Sequence, residues 1–257
     1  MNQYKYIKSI KRRKTLVLLS QILISIIFFV IWELLSKYKI INPFIFSSPS
    51  RIIKTIINLF ENNRLIYHIW VTSYETLIAF IITFIISLII SIILYESWFL
   101  SKIFDPYLTM LNSLPKVALG PIIIIWVGAN TKSIILMAVL ISLIVSIQTV
   151  YNGFINTDKN KIKLLKTFGA SKKDILFKVV IPYNYNVIIN SLKINISMCL
   201  IGVIMGEFLT SKAGIGYLIL YGSQIFNLNL VMSGIVILII LSIVLYELTK
   251  YIEKRLT

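Results

Sequence analysis

The chain has 257 residues, of which 58% are hydrophobic and 14% are charged, and its mean hydropathy is +0.87. A soluble domain carries about 25% charged residues, so this composition excludes an ordinary soluble protein and indicates a polytopic membrane protein. The net charge of +16 is interpreted as membrane topology rather than nucleic-acid binding, because Lys and Arg are retained on the cytoplasmic side. The one cysteine, Cys199, excludes an intramolecular disulfide.

A bilayer core about 30 Å thick requires about 20 mostly apolar helical residues. Six segments meet this requirement: Thr15–Leu35, Ile69–Leu94, Pro106–Val127, Ser133–Val150, Tyr183–Met205 and Leu228–Tyr246. The first follows a KRRK cluster, but it exceeds the roughly 7–15 residues of a signal-peptide core and no A-x-A site follows, so we expect it to be retained. The sequence therefore predicts an all-α fold with six transmembrane helices, a basic tail over residues 1–14 and one transmembrane domain over residues 15–257.

Basic residues are distributed unequally between the two sides of the membrane. With the N-terminus inside, seventeen Lys and Arg residues lie in cytoplasmic segments and seven in outer segments, while Lys116 and Lys193 fall inside predicted helices. This bias predicts that both termini are cytoplasmic. Seven of the inner lysines lie between Lys159 and Lys178, so the loop at about residues 156–182 is predicted to be cytoplasmic.

The polar segment KIKLLKTFGASKKDILFKVVIP, which ends at Pro182, divides into two short helices. The first, about Lys159–Phe168, is expected to end at Gly169, which is free to adopt a positive φ. The second is expected to open at Ser171, which stands in capping-box spacing with Asp174, and Pro182 is expected to end it and to start the fifth span. Such a unit is suited to act as a rigid handle in the cytoplasm; the alternative is an ordinary positively charged loop.

This loop resembles a known pattern. Gly169, followed after nine residues by Val179-x-Ile181-Pro182, is similar to the EAA loop, E-A-A-x3-G-x9-I-x-L-P, of binding-protein-dependent ABC importer permeases. Three further stretches resemble the nitrate/sulfonate/taurine branch, which also includes permeases for thiamine-pyrimidine precursors: WELLSKYKIINPFIFSSPSRI from Trp32, LPKVALGPIIIIWVGA from Leu114 and GEFLTSKAGIGYLI from Gly206. The resemblance covers nearly the whole chain.

The resemblance implies a MetI-like permease architecture with a coupling helix that docks in a groove on a cytoplasmic ATPase subunit. The residues that it assigns to ATPase coupling are Lys163, Leu164, Leu165, Phe168, Gly169, Ala170, Ser171 and Pro182. The Glu-Ala-Ala triplet of the pattern aligns with Lys163, Leu164 and Leu165, so a basic residue replaces the acidic one, and we expect a more acidic groove on the partner.

The implied partners are ATPase subunits that use ATP and Mg, an extracellular solute-binding protein, the lipid bilayer and a second copy of the permease. The chain itself is expected to hold no cofactor and not to be an enzyme. GEFLTSKA contains a lysine but lacks the second glycine of a P-loop, so the energy is expected to come from the ATPase.

The third and fifth predicted spans carry candidate residues for a translocation path. Asn112, Ser113 and Pro115 interrupt the third span, and irregular backbone at membrane depth is tolerated where it lines a cavity or is buried in protein. Lys116 and Lys193 lie about ten and eleven residues beyond the expected helix starts, about 15–16 Å deep at 1.5 Å per residue. An intramembrane lysine marks a pathway or pairs with a partner, and a cationic path suits an anionic substrate. The alternatives are a packing kink and lysines that extend toward the surface.

The outer end of the fifth span carries Glu207, and Gly214 and Gly216 follow it in a segment that suggests a tight re-entrant turn. The resemblance places these three residues near the outer gate and the binding-protein contact; the alternative is that Glu207 is an ordinary interfacial residue. His68 is the one histidine, which excludes a multi-histidine metal site.

The second predicted span combines a small-residue face with an unexpected acid. Ala79, Thr83, Ser87 and Ser91 recur at intervals of four residues and predict a helix-packing face. Glu75 stands near a position at which the resembled branch usually carries Arg.

The sequence therefore predicts the membrane-spanning permease subunit of an ATP-driven ABC importer in the cell membrane. It forms the path for a small solute, such as a sulfonate, nitrate or thiamine-precursor pyrimidine. The alternatives are a non-transporting membrane anchor and an ion-driven secondary transporter, which would be expected to show internal repeats and buried carboxylates at the midplane. The substrate, and the choice between two identical copies and a second permease, are left open.

Overall fold

The computed structural model describes residues 3–62 and 64–256, and all regular structure in these ranges is helical, as predicted. The helices are α1 (Gln3–Lys37), α2 (Pro43–Phe46), α3 (Pro49–Glu61), α4 (Arg64–Glu96), α5 (Trp98–Ser113), α6 (Gly120–Val127), α7 (Thr131–Ile155), α8 (Lys159–Thr167), α9 (Lys172–Ile175), α10 (Ile181–Tyr183), α11 (Tyr185–Thr210), α12 (Ile215–Gln224) and α13 (Leu228–Leu256). A 3-10 turn over Lys116–Leu119 precedes α6, and a π turn over Leu176–Val180 joins α9 to α10.

Within the described ranges, five helices are long and apolar enough to cross a membrane. These are α1 from Thr15 onward, α4, α7, α11 and α13. Helix α5 and the segment Lys116–Val127 meet the same criteria as a pair, although they are bent by 89°, and they give a sixth span if the pair crosses as one. The predicted all-α membrane architecture is therefore confirmed, with five continuous candidate spans and a sixth if the bent pair crosses the bilayer.

The prediction of one helix over Pro106–Val127 is wrong in its start and in its continuity. Helix α5 begins earlier, where the Ser97 side chain accepts a hydrogen bond from the Leu100 amide at 3.2 Å, and Pro106 lies inside the helix. It ends at Ser113, and Leu114 is extended, with φ −70° and ψ 138°. The residue before a proline avoids the helical region, so Pro115 is the physical cause of the break.

The centre of the fold is formed by α4, α7 and α11, which pack through small residues. The predicted face of α4 is buried as expected, with Ala79, Thr83, Ser87 and Ser91 all at most 1% exposed. Thr83 Oγ1 and Ser142 Oγ share a hydrogen bond of 2.9 Å, and a Cβ on Gly202 would lie 2.5 Å from the Ala138 Cα. Close backbone approach and hydroxyl contacts hold helices together in lipid, where apolar burial provides little driving force.

Helix α1 lies at the periphery of the chain. Its most apolar 18-residue window has no buried residue, and the Glu33 carboxylate accepts hydrogen bonds from Ser50 N at 3.0 Å and Ser50 Oγ at 2.8 Å at the start of α3. Helix α1 begins at Gln3, so it includes part of the predicted basic tail over residues 1–14. Met1 and Asn2 lie outside the described residues, as do most side chains of the basic tail.

The orientation remains a prediction that single cysteines test directly. In a Cys199→Ser background, a cysteine at Lys212 should react with a membrane-impermeant thiol reagent in intact cells, and a cysteine at Lys163 should react only after the cells are opened. Both side chains are exposed, so access to solvent does not differ between the two sites. Labelling at 163 but not at 212 in intact cells would reverse the topology.

Candidate functional site

The lysine-rich loop folds as two short helices joined at Gly169. Gly169 N donates to Lys166 O at 3.0 Å, and Ala170 N donates to Leu165 O at 3.1 Å, while Gly169 has a φ of +75°. This pair of hydrogen bonds is a Schellman motif, in which a left-handed residue ends a helix and satisfies its last carbonyl groups. The predicted positive φ is confirmed, and the helix that precedes it is α8.

The second half of the loop begins with the predicted capping box. Ser171 Oγ accepts from Asp174 N at 3.2 Å, and Ser171 N donates to an Asp174 carboxylate oxygen at 3.2 Å. The side chains of Lys178, which forms an ion pair at 2.6 Å, and of Ser171 lower the pKa of the exposed Asp174 to about 2. The cap is therefore ionised at neutral pH and weakens only as the pH falls toward that value.

Pro182 does not end the second helix or start the fifth span, so that part of the prediction is wrong. A π turn carries the chain through Leu176–Val180 into α10, and α11 begins only at Tyr185, after Asn184. Proline has no amide hydrogen and crowds the preceding turn of an α-helix, and a wider π turn relieves both constraints. The loop therefore connects to the membrane through a nearly continuous helical segment.

The two faces of α8 and of the turn that ends it, residues 168–170, differ in burial. Ile162, Leu165 and Ala170 pack against a cluster that contains the buried Phe154, at the end of α7, and Leu176. The opposite face carries Lys163, Leu164 and Phe168 in solvent, with Leu164 55% exposed and Phe168 79% exposed. The loop is thus anchored on one side to the ends of α4 and α7 and presents an apolar and basic surface on the other.

The break between α5 and α6 forms the second candidate site. Asn112, Ser113 and Pro115 are exposed, and the Lys116 ammonium donates to Asn112 O at 3.3 Å and to Asn112 Oδ1 at 3.5 Å. The structure therefore brings these four predicted residues together on one surface. Helix α5 has no buried residue, so this surface faces away from the core of the chain.

Lys193 is separate from this group, because its ammonium forms a 2.7 Å ion pair with Glu253 Oε2 on α13. The membrane depth predicted for Lys193 by counting from Pro182 does not apply, because α11 starts at Tyr185. Of the two alternatives for an intramembrane lysine, pairing with a partner is the one for which the structure provides a contact.

Glu207 near the C-terminal end of α11 is fully buried within the chain. Its Oε1 accepts from Thr72 Oγ1 at 2.6 Å, and its Oε2 accepts from Gly216 N at 2.5 Å. The carboxylate therefore lies at the N-terminus of α12, where unpaired amide groups and the helix dipole favour an anion.

The turn between α11 and α12 closes against α4. Gly214, with φ +108°, donates its amide to His68 Nδ1 at 2.9 Å, and Ile215 N donates to Thr72 Oγ1 at 2.8 Å. A tight turn is present as predicted, and Glu207, Gly214 and Gly216 come together in it. Their assignment to an outer gate stays a prediction.

Sequence reasoning missed the contribution of α4 to this turn. His68, Thr72, Glu75 and Thr76 recur at helical spacing and are all at most 8% exposed. Thr72, one helical turn before Glu75, donates to Glu207, and the Glu75 carboxyl lies close to Glu207 and Thr131. That spacing of polar side chains within an apolar helix was the available signal. Among the described residues, no group of three His, Cys, Asp or Glu side chains is arranged to hold a metal ion.

Comparison with known proteins identifies the family. A model described as the binding-protein-dependent transport system inner membrane component matches residues 84–257. The chain belongs to this family. It is therefore a multi-pass permease subunit of an ABC importer in the cell membrane, as the sequence predicted, and such permeases work with an ABC ATPase and a binding protein. A family of transport permeases is consistent with the prediction that the chain is not an enzyme.

Named relatives of this permease extend over most of its length. It is 29% identical over 93% of its length to a probable ABC transporter permease of Haemophilus influenzae, covering 96% of that protein. It is 22% identical to a putative aliphatic sulfonates transport permease of Bacillus subtilis, with 91% of this chain and 85% of that one covered. It is 25% identical to a formylaminopyrimidine transport permease of Halalkalibacterium halodurans, with 88% and 90% covered. These relatives support the predicted branch.

Solved structures show the same fold. A chain of the inward-facing methionine ABC transporter MetNI matches with a TM-score of 0.66 and 20% identity, covering 74% of this permease and 94% of that chain. A second crystal form of that transporter matches with a TM-score of 0.62 and 18% identity.

Proposed function

We propose that two copies of this permease enclose a translocation path lined at the α5–α6 break, and that the exposed face of α8 docks on the ATPase. The observation that carries the proposal is the break itself, where Asn112, Ser113 and Lys116 are displayed on the outside of the chain. Non-helical backbone and polar side chains are not stable against lipid, and they occur at membrane depth only where protein or a water-filled cavity covers them.

A second copy of the permease would cover the polar surface at the break without any further kind of partner. Most soluble and membrane homo-oligomers are symmetric, and a two-fold axis through this surface would place the same polar residues from both copies on either side of one path. Pairing with a different permease would also cover the break, and the mass of the purified permease assembly distinguishes the two.

The α8 face supports the docking proposal through its shape and chemistry. Phe168 and Leu164 are exposed apolar side chains at the cytoplasmic end, beside Lys163, and the other face of the helix is fixed to the core cluster. An exposed apolar side chain on a rigid support is typical of a protein-docking surface. Lys163 would contact an acidic side of the groove.

The energy for transport comes, in this proposal, from ATP and Mg held by the ATPase, and the permease itself carries no cofactor. The extracellular binding protein would deliver the solute to the outer turn that contains Glu207, Gly214 and Gly216. Closure of the ATPases would move α8, and α8 would transmit the movement through the loop to α7 and α11.

The substrate class that we propose is a small anion, such as a sulfonate, because Lys116 is the charged side chain at the break. The aliphatic sulfonates named for two relatives support this class, and the pyrimidine named for a third is the alternative.

Replacing the two lysines separates a path residue from a structural one. Lys116→Met should reduce ATP-dependent uptake of the anion about tenfold, which corresponds to the loss of about 1.4 kcal/mol of attraction between lysine and anion. Substrate-independent ATPase activity should be retained. Lys193→Met should instead lower the melting temperature, because it removes the 2.7 Å ion pair between α11 and α13.

The measurement is uptake and ATP hydrolysis by the same proteoliposomes containing permease, ATPase and binding protein. Equal losses of uptake and hydrolysis in Lys116→Met would assign that lysine a structural role. If the wild-type and Lys116→Met proteins take up a neutral pyrimidine equally well, the substrate class is the pyrimidine and not the anion.

A further inference from the structure

Two carboxyl groups meet inside the outer turn, away from water. Glu75 is 1% exposed and Glu207 is fully buried. Thr72, one helical turn before Glu75 on α4, donates to Glu207 Oε1 at 2.6 Å, so the Glu75 and Glu207 carboxyls lie close together. Two neighbouring carboxylates that are both ionised repel each other, and burial removes the water that would screen them. One of the two must therefore carry a proton if the observed packing is to be stable.

The hydrogen bonds around Glu207 show which carboxyl remains ionised. Thr72 Oγ1 and Gly216 N both donate to Glu207, at the N-terminus of the ten-residue helix α12. Donors of this kind favour a carboxylate, and the dipole of α12 adds to the effect.

Glu75 has the opposite environment. Its Oε2 atom is buried and has no hydrogen-bond partner among the described residues, and its polar neighbours are Thr131 and Glu207. A buried polar atom without a partner is costly, and a proton placed between the two carboxyls supplies the missing donor.

We propose that Glu75 and Glu207 form a proton-binding site that holds one proton, carried by Glu75, and that this proton fastens the α11–α12 turn to α4. The ligand is a proton taken from water as the turn closes. Glu207 connects the site to the turn through Gly216, and Thr72 connects it through Ile215. The site is independent of the ATPase-docking face and of the α5–α6 break.

The other charged and titratable groups near this turn do not provide a positive charge that would neutralise the two carboxylates. On α4, Arg64 is exposed and His68 accepts from Gly214 N through Nδ1, so that nitrogen carries no proton. Lys132 on α7 and Lys212 in the turn are exposed. Tyr217 and Tyr221 on α12 stack on one another, and Tyr217 also stacks on His68.

The sign of the pH effect follows from the bound proton. The folded protein holds a proton that the unfolded chain releases at neutral pH, so stability falls as the pH rises through the range in which the site loses its proton. For one proton, the folding equilibrium constant should fall by up to about tenfold per pH unit in that range. Glu75→Gln keeps the shape of the side chain and a permanent donor, so this variant should lack that dependence.

The test combines infrared spectroscopy with melting temperatures on the full-length protein in detergent. At neutral pH the wild-type protein should show the C=O band of a protonated carboxylic acid, and the band should disappear at alkaline pH together with part of the thermal stability. The band should be absent in Glu75→Gln and present in the control Glu61→Gln, which changes an exposed residue of α3. Glu207→Gln should be less stable than the wild-type protein at every pH, because an NH2 group replaces one of the two carboxylate oxygens that accept hydrogen bonds.

Three outcomes would overturn the proposal. One is a wild-type spectrum without the acid band at neutral pH, which needs no variant to be stable. Another is a band that persists in Glu75→Gln, which would place the proton elsewhere. The third is a wild-type melting temperature with the same dependence on alkaline pH as that of Glu75→Gln.

Discussion

Gly169→Val should leave the permease in the membrane but reduce both ATPase retention and transport about tenfold. Gly169 has φ +75° in the Schellman motif that ends α8, and a Cβ added there would meet no atom within 4 Å. The cost is therefore confined to the backbone, about 1–2 kcal/mol for a left-handed residue, and is highest for a β-branched side chain. Relief of that strain would rotate α8 relative to α9, and the exposed face with Phe168 would no longer fit its groove.

The substitution series provides the control. Gly169→Ala should be milder than Gly169→Val, and Gly169→Asn should be milder still because Asn tolerates the left-handed region. The measurement is co-purification of the ATPase with each variant, alongside ATP-dependent uptake in vesicles. A Val variant that retains its ATPase and transports like the parent would show that the loop is not the mechanical coupler, and the alternative of an ordinary positively charged loop would return.

Gly214→Ala should destabilise the outer turn by on the order of 2–4 kcal/mol. Gly214 has φ +108° and ψ 169°, a region that is accessible almost only to glycine, and a Cβ would lie 2.2 Å from Glu207 Oε1. The side chain cannot be accommodated without moving the carboxylate off the N-terminus of α12. We expect a lower melting temperature in detergent and faster proteolysis at the turn.

The matched control for this prediction is Lys212→Ala, an exposed position in the same turn, which should leave the melting temperature unchanged. A double variant, Gly214→Ala with Glu207→Ala, should destabilise by less than the sum of its parts, because removing the carboxylate relieves the clash but not the backbone strain. Full additivity of the two substitutions would contradict the contact that we describe.

The coupling loop was predictable because its signals are local. Gly169, Ser171 and Asp174 determine a C-cap and an N-cap within a few residues, and the structure contains both. The apolar length of a span is also local, which is why α1, α4, α7 and α13 agree with their predicted segments. The π turn before Pro182 was not predictable, because proline is compatible with several ways of relieving the same steric conflict.

Contacts that are distant in sequence were the ones missed. The ion pair of Lys193 with Glu253 joins two helices, and the hydrogen bond of Thr72 with Glu207 spans 135 positions in the chain. Hydropathy identified these helices but did not indicate which faces meet. The break at Leu114–Pro115 was visible in the sequence as an interruption, whereas its 89° angle depends on how α6 packs against α7.

The most direct test of ATPase coupling is a cross-link from the exposed face of α8. A photo-reactive amino acid placed at Phe168, which is 79% exposed, should cross-link to the ATPase subunit in membranes that contain the assembled importer. The same group placed at Lys212 in the outer turn should give no such product. Cross-linking to the ATPase at Phe168 alone is the predicted result, whereas an assembled importer with no ATPase product from Phe168 would contradict this account.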